Sequence, residues 1–79
     1  MFFVYAISSK NRNYIYVGLM NNLERRLKEH NSGSNKTTRS YRPFKLILVE
    51  KYTTRIVARS REKYLKTGVG KEFLKRLNM

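Results

Sequence analysis

Seventy-nine residues leave room for one small domain, 1–79, and the absence of cysteine excludes disulfides and thiolate metal sites and points to a reducing, cytoplasmic setting. Eighteen lysines and arginines against five acids give a formal charge of +13 and a pI near 10.5, a self-repulsion that a polyanion relieves, so nucleic acid is the expected partner. The basic residues are spread along the chain rather than gathered on one amphipathic helix, and the apolar N-terminus is short and lacks a leading basic region; neither a membrane partner, a secretion signal nor a membrane span is expected.

Two aromatic, β-branched runs, 2–7 (FFVYAI) and 14–19 (YIYVGL), flank the turn-forming segment 8–13 and predict a β-hairpin. A turn centred on Lys10 and Asn11 sets Tyr5 directly opposite Tyr16. Gly18, inside the second strand, marks a bulge or a place where another group comes close to the backbone.

Residues 21–31 then read as a helix, with Asn21 as N-cap, Glu24 three positions on, and a stop at 31–33. At 3.6 residues per turn, Leu23 and Leu27 centre one face while Glu24, Arg25 and Lys28 point away. Arg26 and His30 fall on the leucine arc, so a cation and an imidazole turn toward the fold.

Segment 32–43 (SGSNKTTRSYRP) has no periodicity and reads as a loop. Its Lys36, Arg39 and Arg42, interleaved with hydroxyls and Tyr41, suit phosphate contacts and base stacking, or simply a solvated surface. Residues 44–52 form a third strand whose run Leu46, Ile47, Leu48, Val49 predicts cover on both faces. Thr53 or Thr54 caps a second helix, 55–66, with Val57, Ala58, Tyr64 and Leu65 on its apolar side and Glu62 at the shoulder. Segment 67–70 (TGVG) breaks it, and 71–77 makes a short third helix offering Phe73, Leu74 and Leu77 to the core.

Each polar candidate has an ordinary structural reading: paired tyrosines as a half-buried aromatic pair, His30 as a hydrogen-bonded histidine near a helix end, Glu62 as an i,i+4 partner of Lys66. Together they are the inventory of a phosphodiester nuclease. Such an enzyme needs an activated water, a cation for charge developing on phosphate, and stabilisation of the leaving oxygen. Arg26 offers the cation, Tyr5, Tyr16 and His30 offer proton transfer, and Glu62 offers the single carboxylate that suits Mg²⁺.

The tripeptides Phe3-Val4-Tyr5 and Tyr16-Val17-Gly18, separated by ten residues and followed at fixed spacing by Arg26 and His30, resemble the signature of the GIY-YIG nuclease superfamily. The segments HNSG (30–33), RPFKL (42–46) and the run AxxREKYLK (58–66) resemble its small stand-alone bacterial members, which are similar to the N-terminal nuclease domain of the excision-repair endonuclease. The resemblance implies an α+β fold, a three-stranded antiparallel sheet flanked by about three helices in the order β-β-α-β-α-α. It also implies one divalent ion, Mg²⁺ or Mn²⁺, bound by Glu62, with Tyr5 helping to deprotonate water, Tyr16 beside it, Arg26 on the scissile phosphate and His30 assisting proton transfer. For Tyr5 to act as a base, the neighbouring cations and the metal must favour its phenolate.

The first tripeptide lacks the name-giving glycine but keeps its tyrosine, and the resemblance implies a late asparagine near the phosphate, for which Asn78 is the only candidate after the second helix. The family resemblance implies a DNA endonuclease, linked to repair, that selects structure or damage rather than sequence. DNA is favoured over RNA, and a monomer or weak homodimer, cytoplasmic or with the nucleoid, is expected. The competing reading is a basic nucleic-acid-binding module on the same fold, idle by itself or dependent on a partner protein.

Overall fold

Strand β1 (Phe2–Ser9) is buried at six successive positions, so both its faces must be covered, and it takes the centre of the sheet. β2 (Ile15–Met20) and β3 (Phe44–Tyr52) pair antiparallel on either side of it, in the order β2-β1-β3. The remaining elements are α1 (Leu23–Ser32), a 3₁₀ turn at Arg39–Tyr41, α2 (Arg55–Leu65) and α3 (Gly68–Leu77), giving the expected order β-β-α-β-α-α. The computed structural model describes residues 1–78 apart from the side chain of Leu23, so the expectation that Leu23 faces the core lies outside the described residues. Among the described residues no helix is long and apolar enough to cross a membrane.

The hairpin register differs from the one expected. Tyr5 lies opposite Gly18 and Tyr16 opposite Ile7. The turn sits one residue further on because Ser9 extends β1: its N–H donates to the Tyr14 carbonyl at 2.9 Å, and its Oγ accepts from the Arg12 N–H at 3.0 Å. Moving the turn by a whole residue shifts every partner by two, an even number, so Tyr5 and Tyr16 stay on one face as diagonal neighbours.

The two faces of the sheet hold separate apolar clusters. On one, Val4, Ala6 and Val17 pack against Ala58 and Leu65 of α2 and Leu74 of α3. On the other, Tyr5, Ile7 and Phe44 pack with Tyr14, Tyr16, Leu27 and Tyr41 under α1. β3 is not covered on both sides as its apolar run predicted: Leu46 is 40% and Val49 45% exposed. β3 is an edge strand, and the cluster beneath α1 includes its Phe44 but neither Leu46 nor Val49. A bulge also interrupts its pairing, since Ala6 faces Leu48 while Ile7 faces Leu46, leaving Ile47 over.

Helix termini follow side-chain chemistry closely. α1 is capped by Asn22 rather than Asn21, its side chain accepting from the Arg25 N–H at 3.1 Å, and Gly33 ends it in the left-handed region at φ 84°. Thr54 caps α2, accepting from the Val57 N–H. Val57 and Tyr64, expected on the packed side of α2, are exposed. Arg61 crosses that side instead, donating to both Glu50 oxygens at 2.8 and 3.0 Å while its guanidinium lies 5.3 Å from the Tyr64 ring and 5.6 Å from the Phe73 ring.

α3 starts three residues earlier than expected. Thr67 accepts from the Gly70 N–H at 3.2 Å, and a Cβ on Gly70 would lie 2.5 Å from Leu65 Cα. Lys66 and Thr67 alone therefore form a tight corner between the two helices, and Gly68 to Gly70 are the first turn of α3. Leu74 is buried by it, whereas Leu77 remains exposed.

Candidate active site

Helical spacing places His30 where the projection put it, fully buried beneath the sheet face that carries Tyr5. Its Nε2 lies 3.1 Å from the Tyr5 hydroxyl, and its Nδ1 lies 2.8 Å from Thr38 Oγ1. Tyr5 and Thr38 are buried as well. A neutral imidazole donates through one nitrogen and accepts through the other, so Tyr5, His30 and Thr38 form a chain along which a proton can move. Thr38 was missed by sequence reasoning, since nothing distinguishes it from the other hydroxyls in a polar loop.

Burial, and secondarily the positive charge of Arg26, lower the His30 pKa below its ordinary 6.5, with Glu29 opposing weakly. His30 is thus neutral at neutral pH. Because the unfolded chain binds this proton more readily than the folded one, folding stability is fully present above about pH 6.5 and falls as pH drops through the depressed folded value. His30 is the only histidine in the chain, so His30→Gln should remove this decline in melting temperature as pH falls below about 6.5, measured against wild type by thermal denaturation. An unchanged pH profile in the variant would contradict the assignment.

Tyr16 completes the aromatic wall, its ring centroid 6.3 Å from that of Tyr5 and 4.7 Å from that of His30. Arg26, one turn before His30, is half-exposed, ion-paired to Glu29 at 3.3 Å, and lies beside both phenols, which raise its pKa. The Tyr5 hydroxyl does not become acidic in return. Burial pushes its pKa up to about 12, Arg26 pulls it down less than burial raises it, and Tyr16 and Glu62 add to the rise. Desolvation of the Tyr5 ring thus outweighs one partly solvated guanidinium, and Arg26 alone does not favour the phenolate. In the tautomer that carries its proton on Nδ1, neutral His30 is an acceptor for the Tyr5 hydroxyl.

Gly18 has a local reason to lack a side chain. The Tyr5 ring lies across it, and a Cβ there would come within 2.5 Å of Cζ and 2.7 Å of Cε1. The group that comes closest to the backbone at this position is the Tyr5 ring.

Glu62 sits on α2 with its side chain 16% exposed, ion-paired to Lys66 at 3.3 Å and close enough for its charge to raise the Tyr5 pKa. Among the described residues no three His, Cys, Asp or Glu side chains cluster as a metal cage. A closed zinc-type site therefore does not fit. A lone, largely buried carboxylate fits Mg²⁺, which keeps several waters and takes phosphate oxygens as further ligands.

Of the other predicted residues, Tyr41 packs against the same apolar cluster as Tyr5, while Lys36, Arg39, Arg42 and Asn78 make no contact with Tyr5, Tyr16, Arg26 or His30 among the hydrogen bonds and ion pairs of the described residues. Arg39 Nε donates to the Gly33 carbonyl at 3.2 Å and Arg42 Nη1 to the Arg39 carbonyl at 3.4 Å, so both guanidiniums help shape their own loop; Lys36 is exposed. Tyr41 stacks on Tyr14 with centroids 3.9 Å apart and planes 13° from parallel, which occupies one of its faces, and the Arg12 guanidinium lies 5.8 Å from the same ring. Asn78 donates to Ser8 Oγ at 2.9 Å, on the sheet face opposite Tyr5, and does not join the site. Tyr5, Tyr16, Arg26 and His30 are brought together, with Glu62 within electrostatic reach.

Residues 1–78 match the model of a family described as the GIY-YIG catalytic domain. A UPF0213 protein of Clostridium perfringens is 42% identical over 67 residues, covering 84% of this chain and 71% of that protein. The UPF0213 protein YazA of Bacillus subtilis is 37% identical over 65 residues, covering 81% of this chain and 65% of that protein. The solution NMR structure of the UPF0213 protein BH0048 from Bacillus halodurans superposes with a TM-score of 0.58 at 31% identity, over 98% of this chain and 85% of that one.

Proposed function

The chain belongs to the GIY-YIG nuclease family, and on that footing we propose that it is a divalent-metal-dependent endonuclease hydrolysing phosphodiester bonds in DNA, directed by structure or damage rather than by sequence. The observation that carries this reading is the convergence of Tyr5, Tyr16, Arg26 and His30, with a buried hydrogen bond from Tyr5 to the only histidine in the chain. A repair role in the cytoplasm and a preference for DNA over RNA belong to the same proposal.

In this reading Arg26 neutralises charge that develops on the scissile phosphate. Tyr5, protonated at rest, takes up the proton of the attacking water as it yields its own to His30 Nε2, which is neutral and 3.1 Å away. Thr38, bonded to Nδ1, holds the imidazole in place. Tyr16 keeps water out beside Tyr5 and presents a second hydroxyl near Arg26. Glu62 would hold a Mg²⁺ or Mn²⁺ ion, whose contribution is Lewis-acid stabilisation of the phosphate and the leaving oxygen.

A second reading, a basic binding module that leaves cleavage to a partner protein, draws on the ion pair that engages Glu62 with Lys66. Incubating the purified chain with branched, nicked and single-stranded DNA, and with matching RNA, in Mg²⁺, Mn²⁺ or EDTA separates the two. Cleavage of DNA that EDTA abolishes and added Mg²⁺ restores is the expected result. Binding without cleavage in any metal would leave the module, and EDTA-resistant cleavage would overturn the metal requirement.

A further inference from the structure

β2 is an edge strand, and a groove runs along it, made of two adjoining cavities that share Tyr14, Ile15 and Lys71. β2 and its lead-in contribute Tyr14 and Tyr16; the corner between α2 and α3 contributes Lys66, and α3 adds Lys71 and Lys75. No acidic residue lines either cavity. Lys71 and Lys75 are one turn apart on α3, about 6 Å along its axis, the scale on which successive phosphates of one strand are spaced. Among the described residues Lys71 forms no ion pair, and Lys75 pairs with Glu72 at 3.7 Å in a contact where both side chains are more than half exposed. The groove ends at the candidate site, since Tyr16 lines it and Lys66 is paired to Glu62.

We propose that this groove is the track for one strand of the nucleic acid, with its phosphates on Lys71, Lys75 and Lys66, leading the scissile linkage to Tyr16 and Glu62. Three ammonium groups along this groove, of which Lys66 and Lys75 exchange a carboxylate partner for phosphate, bind a polyphosphate chain as point charges, without reading bases. The destination of the strand rests on the nuclease reading, whereas binding in the groove does not require cleavage.

The test uses the full chain in EDTA with a short single-stranded oligothymidylate, followed by ¹⁵N–¹H spectra and by affinity at several salt concentrations. Shifts are expected at residues 14–17 and 66–75. Lys71→Glu with Lys75→Glu should weaken binding about tenfold or more at low salt and reduce the slope of log affinity against log salt by about 1.4, roughly 0.7 for each lost phosphate contact. Lys45→Glu with Lys51→Glu, an equal change of charge on the opposite edge strand, should weaken it far less. If the first pair does not fold, Lys71→Gln with Lys75→Gln carries the same comparison. Equal weakening by the two pairs, shifts confined to other surfaces, or no binding at all would overturn the groove. Groove binding by a chain that cleaves nothing in Mg²⁺ would sink the nuclease reading and leave the groove; DNA cleavage unaffected by the Lys71 and Lys75 reversals would do the opposite.

Discussion

Replacing Arg26 with alanine lowers the rate of DNA cleavage by about a thousandfold while leaving the melting temperature nearly unchanged, because a cation aimed at a transferring phosphoryl group contributes on that scale. The fold has little to lose: the side chain is 38% exposed, and its ion pair with Glu29 is a partly solvated contact on the same helix. Arg26→Lys restores the charge without the planar fork and should recover only part of the rate. The variant also carries a signature beyond the rate. Arg26 lowers the pKa of His30 and opposes the rise at Tyr5, so its removal should move the pH profile of residual cleavage upward. Glu62→Ala should cost a comparable factor with no upward move of the His30 limb, since Glu62 is not among the groups acting on His30. Full activity in either variant, in protein free of contaminating nuclease, would remove the catalytic reading.

Gly18→Ala is expected to destabilise the chain by about 2 kcal/mol, lowering the melting temperature by roughly 10 °C for a domain of this size. The cause is specific, since the added Cβ would overlap the Tyr5 ring, and that ring cannot swing away. It is 1% exposed and held between His30 and Tyr16. Adding Tyr5→Ala should relieve the overlap, so the two substitutions together cost less than the sum of their separate effects. Thermal denaturation of the four proteins decides it: strict additivity, or a Gly18→Ala penalty below about 0.5 kcal/mol, would mean that the ring does not lie across Gly18. Cleavage should fall in Gly18→Ala as well, because displacing Tyr5 breaks its 3.1 Å contact with His30.

Several features of the chain were set by the residues in local sequence. Aromatic and β-branched runs made strands, leucine spacing made α1, and the same 3.6-residue period turned Arg26 and His30 toward the fold, because side-chain direction on a helix follows from sequence position alone. Charge and the FVY and YVG tripeptides pointed to nucleic acid and to the family before any contact was known.

Contacts between elements distant in sequence had to come from the tertiary structure. Which hydroxyl of a polar loop meets His30 depends on how 32–43 folds back over α1, and that singled out Thr38. The exposure of Leu46 and Val49 depends on how far α1 reaches across the edge strand, which no apolar run encodes. The hairpin register turned on one added pair at Ser9, a small energy difference between adjacent turns. The protonation of Tyr5 was decided in the same way. A cation near a phenol argues for phenolate, but burial of the ring among Ile7, Phe44 and His30 outweighs it, and burial is a property of the assembled fold.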